Sequence, residues 1–151
     1  PQTTPAPAPR QPVEKAVLAA AGVTAIAPPR APPEVKAVIE WGNKIATKPY
    51  KYGGGHARFP DDPSGYDCSG SMSYALYGGK FLEDPLNSTG FMSWGKAGKG
   101  RWITTYAHGG HSYMVVAGLR FDTSGLKQDG SRWHKSSRST DGYTVRHPSG
   151  F

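Results

Sequence analysis

Cysteine is almost absent from this chain: Cys68 is the only one in 151 residues. That excludes an internal disulfide framework and any zinc site built on several cysteines. Acidic residues are in the minority, 11 against 18 lysines and arginines, for a net charge of +7. No apolar run is long enough to span a membrane, since the alanine-rich stretch from Val13 to Ala27 is broken by charges and glycine. Three glycines occur in a row at Gly53-Gly54-Gly55, but no Lys-Ser or Lys-Thr follows them, which argues against a phosphate-cradling nucleotide loop. There is no His-Glu-x-x-His, no arginine-rich helix and no nucleic-acid motif. The basic balance suits an anionic partner such as nucleic acid, an acidic membrane face or a carboxylate- and phosphate-rich bacterial wall. Its cations are scattered, with a mild concentration at Lys127, Arg132, Lys135, Arg138 and Arg146, and an ordinary solvated basic surface accounts for them equally well. No nucleic-acid partner is expected.

What the chain has in quantity is glycine and proline, 20 and 14 residues, unevenly spread. Residues 1–12 read as a polyproline-like tail, Val13 to Ala21 as a short helix with a small apolar face, and Ala27 to Pro33 as a second stiff linker. Residues 1–33 are therefore expected to be a Pro/Ala-rich tether, and 34–151 the compact domain, which is long enough for one core. Pro33-Glu34 opens a helix whose inward stripe is Val35, Val38, Ile39, Gly42, Ile45 and Ala46, stopped by Pro49. An acidic turn, Phe59 to Gly65, leads into a second helix with Cys68, Met72, Ala75 and Leu76 on one face, ended by Gly78-Gly79. Residues 80–100 look irregular. Strands are predicted over 101–106, 111–118, 119–123 and 143–147, with a hairpin turn near Ala117-Gly118-Leu119 and a polar loop over 124–139. Helices followed by antiparallel strands give an α+β layout.

The chemistry centres on Cys68. At a helix N-terminus a thiol faces unpaired N–H groups and the positive end of the dipole, and both favour the nucleophilic thiolate. Burial as a small hydrophobe is the plainer alternative. A cysteine nucleophile needs a base, and five histidines are available. His111, at the mouth of the most apolar strand, ranks first because a rigid element can aim it, and His108 in the turn before it ranks second. His56, His134 and His147 lie among glycines, in a charged loop and beside a proline. A hairpin turn near Gly118 returns Asp122 beside His111, where it can orient the ring; the alternative is an ordinary turn-capping carboxylate. A metal held by His108, His111 and Asp122 is disfavoured by the two glycines between the imidazoles, so neither metal nor cofactor is expected.

Three motifs in this order, Pro49-Tyr50-x-Tyr52-Gly53-Gly54, Asp67-Cys68-Ser69-Gly70 and His111 opening an apolar strand, resemble the NlpC-type papain-like cell-wall cysteine peptidases, over roughly residues 34 to 123. The resemblance implies a papain-like fold: helices packed on a central antiparallel β-sheet, with the nucleophile cysteine at a helix N-terminus. It implies Cys68 as nucleophile, His111 as base and Asp122 at the third polar position, where many members carry His, Asn or Gln. Tyr50 is similar to the tyrosine lining the site, Asp67 to an aspartate that holds the substrate's free amino end, and Ser69 to a pocket residue. The Cys68 backbone N–H would serve the oxyanion hole. The reaction implied is hydrolysis of peptidoglycan stem peptides at the bond from the D-glutamate side-chain carboxyl to the next diamino acid. Amidase or acyltransferase chemistry of the same superfamily, or a non-catalytic wall-binding module, are the alternatives. Secretion to the cell wall as a monomer is expected, although no signal peptide is visible in these residues. The long acidic stretch between Gly54 and Asp67, the aromatic segment 80–105 and the tail from Trp133 onward depart from the family pattern, the last looking like extensions of actinobacterial relatives.

Overall fold

The protein is described by a computed structural model over residues 14–59 and 63–151. The polyproline reading of 1–12 and the middle of the acidic turn lie outside the described residues. Two short strands, β1 (Val17–Leu18) and β2 (Ala25–Ile26), pair antiparallel where the alanine-rich sequence suggested a helix. This hairpin is docked on the domain. The Ala16 N–H donates to the Ala117 carbonyl (2.8 Å), and the Asn43 side chain both accepts from and donates to the Ala25 backbone (2.8 and 2.9 Å). Ala16, Ala25 and Ala31 are buried in the core cluster. The expectation of a tether running to Pro33 is therefore corrected for residues 14–32. A helix of this length gains little from alanine propensity alone. The hairpin instead finds hydrogen-bond partners on the domain.

Helix α1 (Pro33–Ile45) starts at proline, carries Glu34 in its first turn and Lys44 in its last, and buries Val35, Val38, Ile39, Gly42 and Ile45. Helix α2 (Cys68–Gly78) is capped by Asp67, whose carboxylate accepts from the Gly70 N–H at 2.7 Å. Its small residues Ser69, Gly70, Ser71, Ser73 and Ala75 are buried along with Met72 and Leu76, so it runs through the protein interior rather than over its surface. Close approach explains the glycines. A Cβ on Gly78 would lie 2.1 Å from the Trp41 ring, and one on Gly70 would lie 2.0 Å from the Gly54 carbonyl oxygen. The Gly53–Gly55 run thus lets a backbone turn press against the start of α2. Gly70→Ala is expected to cost about 3 kcal/mol, at the upper end of overpacking penalties, because its contact is rigid backbone. A denaturant midpoint unchanged from wild type would contradict this.

The remainder is α3 (Ser88–Phe91), β3 (Lys96–Ala97), β4 (Ile103–His108), β5 (His111–Val116), β6 (Leu119–Phe121), α4 (Leu126–Asp129), β7 (Trp133–His134) and β8 (Thr144–His147). These strands form one antiparallel six-stranded sheet in the order β3-β8-β4-β5-β6-β7. Strand alternation sends Ile103, Met114, Val116 and Phe121 into the core with α1 and α2, and turns Tyr106, Tyr113, Val115 and Arg120 to the other face. Ala117 (φ 47°) and Gly118 (φ 85°) make the tight β5–β6 turn, at the place expected.

The segment 124–139, expected to be a polar loop, holds α4 and β7, and the tail beyond Trp133 contributes β7 and β8 to the main sheet. Trp133 is buried against Phe121 (ring centroids 4.7 Å) and over Gly42. Arg132, also buried, donates to the carbonyls of Ile45 (2.8 Å) and Tyr66 (2.9 Å), and to the Thr123 hydroxyl (3.0 Å). Burial pushes this guanidinium down to about 10, so it stays charged at neutral pH. A charged residue that caps the end of α1 from a distant loop carries no hydrophobic pattern, which is why the segment reads as polar.

Candidate active site

Cys68 is the first residue of α2 and His111 the first of β5, so two rigid elements aim the two side chains at each other. The thiol hydrogen-bonds to His111 and to the Ser112 backbone N–H, and lies 3.8 Å from the Ser88 hydroxyl, which in turn donates to Ser112 Oγ (3.1 Å). His111 Nε2 is 2.9 Å from Asp122 Oδ1, which leaves Nδ1 for the sulfur. Asp122 is 1 % exposed. Its Oδ1 also accepts from the Ser124 N–H (2.9 Å), and its Oδ2 accepts from Arg120 and Arg138 (2.9 Å each). The orienting role and the turn-capping role are thus combined in one carboxylate.

The electrostatics follow from this geometry. Burial pushes the Cys68 thiol up, but the hydrogen bonds from His111, Ser112 and Ser88 outweigh it and bring the thiol down to about 7. Burial pushes His111 down, but Asp122 and Cys68 outweigh that and lift it to about 9. Burial also works against the Asp122 carboxylate, yet His111 and Arg138 hold it below the usual carboxylate range. Between these two values the pair is a thiolate and an imidazolium, the form in which a cysteine attacks.

The other histidines are engaged elsewhere. His108 Nδ1 accepts from the Gly110 N–H (2.9 Å) and its ring lies on Tyr143 (4.6 Å), within the β4–β5 turn. His134 is buried between Asp129 (2.6 Å) and the Asp122 carbonyl (2.9 Å), and His147 donates to the Gly98 carbonyl (2.9 Å). His56 pairs with Asp67, Nε2 lying 2.7 and 2.8 Å from its two oxygens and 3.2 Å from Ser69 Oγ. The Asp67 hydrogen bond raises His56 against the opposing effect of burial. Asp67 and Ser69, expected to meet substrate, direct their polar atoms into this network. Among the described residues no group of three His, Cys, Asp or Glu side chains is arranged to hold a metal.

A cleft of about 850 Å³ opens over the sulfur. Tyr50, Cys68, His111, Thr123, Leu126 and Lys127 are among the residues that line it; Asp67 and Ser69 do not. Sequence reasoning missed Ser88, Arg120 and Arg138. Arg120 was accessible in principle, since two residues before Asp122 in a strand means the same face. Arg138 reaches Asp122 from a loop and left no signal.

The fold and the placement of these residues define a papain-like α+β architecture with a cysteine at a helix N-terminus. No family model matches the chain, and no curated protein does. Among solved structures, the crystal structure of the P60 domain from M. avium subspecies paratuberculosis antigen MAP1204 is similar, with a TM-score of 0.54 and 21 % identity, covering 75 % of this chain and 93 % of that one. Among the described residues no helix is long and apolar enough to cross a membrane.

Proposed function

We propose that the chain is a cysteine endopeptidase acting on peptidoglycan stem peptides, at the bond joining the D-glutamate side-chain carboxyl to the next diamino acid. The observation that carries this reading is the line Cys68–His111–Asp122, with Cys68 and His111 opening on a cleft and Asp122 buried behind them. The likeness in fold to a P60 domain supports the substrate class, and a net charge of +7 suits an acidic wall polymer. In the reaction, His111 takes the Cys68 proton and the thiolate attacks the carbonyl carbon. The oxyanion that forms is met by the Cys68 N–H at the helix start. His111 returns its proton to the leaving amine as the C–N bond breaks, and water then cleaves the thioester. Secretion to the cell wall belongs to the same proposal. Digestion of defined muropeptides, with the cut bond identified by mass spectrometry, is the test. Release of the diamino acid's amine supports the reading, and a cut at an amide outside the stem peptide, or acyl transfer without hydrolysis, replaces it with one of the related chemistries.

The pH profile follows from the ion pair. Activity is expected to rise as Cys68 loses its proton near pH 7 and to fall as His111 loses its own near pH 9. The two limbs belong to the coupled pair rather than to either residue. Initial rates of kcat/KM across this range check it, and a rate independent of pH through 7 would be inconsistent with the thiolate–imidazolium form.

A further inference from the structure

We propose that Ser88 is a further catalytic residue, whose hydroxyl turns from Ser112 Oγ to Cys68 Sγ as the thiol becomes a thiolate. Ser88 opens α3 and is buried, and it does not line the cleft. Its hydroxyl has two acceptors in reach. It donates to Ser112 Oγ at 3.1 Å, and Cys68 Sγ lies 3.8 Å away, within hydrogen-bond distance for sulfur. Ser112 is fully buried, and its hydroxyl has no other partner among the described residues. Neither hydroxyl is needed to hold its own element. Asn87 caps α3 by accepting from the Gly90 N–H (2.8 Å), and Ser112 is set opposite Ala107 in the β4–β5 ladder. The proposal rests on Cys68 as the nucleophile, and not on the identity of the substrate.

A hydroxyl has one proton, so it serves one of these acceptors at a time. Beside a neutral thiol the shorter bond to Ser112 holds it. Once the thiol proton has passed to His111, the sulfur is a charged acceptor, and a charge-assisted bond is roughly twice as strong as a neutral one. The Ser88 O–H then swings to sulfur, with no bond made or broken at Ser88 itself. Attack on the carbonyl neutralises the sulfur and releases the hydroxyl to Ser112. Breakdown of the thioester expels sulfur as thiolate and draws the hydroxyl back. Ser88 is thus a donor to the thiolate, whereas Ser112 Oγ competes with the thiolate for the same proton. Deleting the two hydroxyls should therefore move the thiol in opposite directions. A role in packing alone would move both variants the same way.

Cys68 is the chain's only cysteine, so the pH dependence of iodoacetamide alkylation reads this thiol alone. Ser88→Ala should raise the midpoint by about half a pH unit, which is about a threefold loss of thiolate on the acid side. Ser112→Ala keeps the backbone N–H that bonds the sulfur, and should titrate at or below the wild-type midpoint. The other titratable groups near the thiol are His111 with Asp122 behind it, Tyr50, and Asp67 with His56, and neither substitution changes them. In stem-peptide cleavage, Ser88→Ala should lose about threefold in kcat/KM on the acid limb, with the deficit closing as the thiol titrates. A midpoint in Ser88→Ala that is unchanged or lowered overturns the proposal. So does a raised midpoint in Ser112→Ala, which decides the matter alone should Ser88→Ala fail to fold. Alkylation uses no peptide, so the expected shifts without stem-peptide cleavage would count against the substrate reading only.

Discussion

Replacing Cys68 by alanine is expected to abolish stem-peptide hydrolysis, with a loss of roughly 10⁴-fold or more, while the protein stays folded. The size of the effect comes from the step removed. Without sulfur no thioester forms, and His111 has no thiol to deprotonate. The fold should tolerate the change because Cys68 is partly exposed and the cap of α2 is supplied by Asp67. Circular dichroism and a denaturant midpoint check the fold, and the appearance of new amino groups checks turnover. The same variant separates the peptidase from a non-catalytic wall-binding module. In the binding case both proteins adsorb equally to peptidoglycan and neither releases amino groups. Wild-type turnover by Cys68→Ala would sink the mechanism. A secondary readout is available in the histidine itself. Cys68 helps to raise His111, so His111 in the variant should titrate lower than in the native protein.

Asp122→Asn is expected to act on both rate and stability. The asparagine oxygen can still accept from His111 Nε2–H, so the ring keeps its tautomer and direction. Its charge is lost, however, and with it the main support that lifts His111 to about 9. A fall of one to two pH units in that limb reduces the ion pair by about ten- to a hundredfold at alkaline pH. His111→Ala should cost more, about 10³- to 10⁴-fold, because it removes the proton carrier outright. Activity of Asp122→Asn equal to wild type would return the residue to turn capping alone. The stability term arises on the other side of the carboxylate. Arg120 and Arg138 both donate to Asp122 Oδ2, and the pairing is buried at the aspartate. Removing the charge leaves two guanidiniums facing one neutral amide, at a cost of about 3 kcal/mol. The pH sign agrees. The Asp122 carboxyl is held below its ordinary value, so its contribution is full above the unfolded value near 3.9 and fades as acid protonates the folded form. The variant should therefore lose less stability than wild type on acidification.

Much of this was legible in the sequence because it depends on local periodicity. The α1 stripe, the helix beginning at Cys68 and the β5–β6 hairpin each follow from spacings of three to four or of two residues. His111 could be ranked above His108 because one opens an apolar strand and the other sits in a turn. The Ala-rich start could not be read correctly. Its structure is decided by backbone hydrogen bonds to Ala117 and Asn43, residues far along the chain. Arg132 and Trp133 were equally opaque, because their burial depends on the end of α1 and on Gly42 lying opposite.

By itself the sequence determined a helix-borne cysteine, a strand-borne histidine and a carboxylate brought back by a hairpin, since each is a local feature of one element. Only the tertiary structure decided how that cysteine is tuned. Two arginines from different elements hold Asp122 ionised, Asp122 holds His111 charged, and His111 with the Ser112 N–H holds the thiol near 7. It also turned Asp67 and Ser69 toward His56 and away from the cleft. Charge state depends on which groups lie within a few ångströms across elements, and no spacing along a chain encodes that distance.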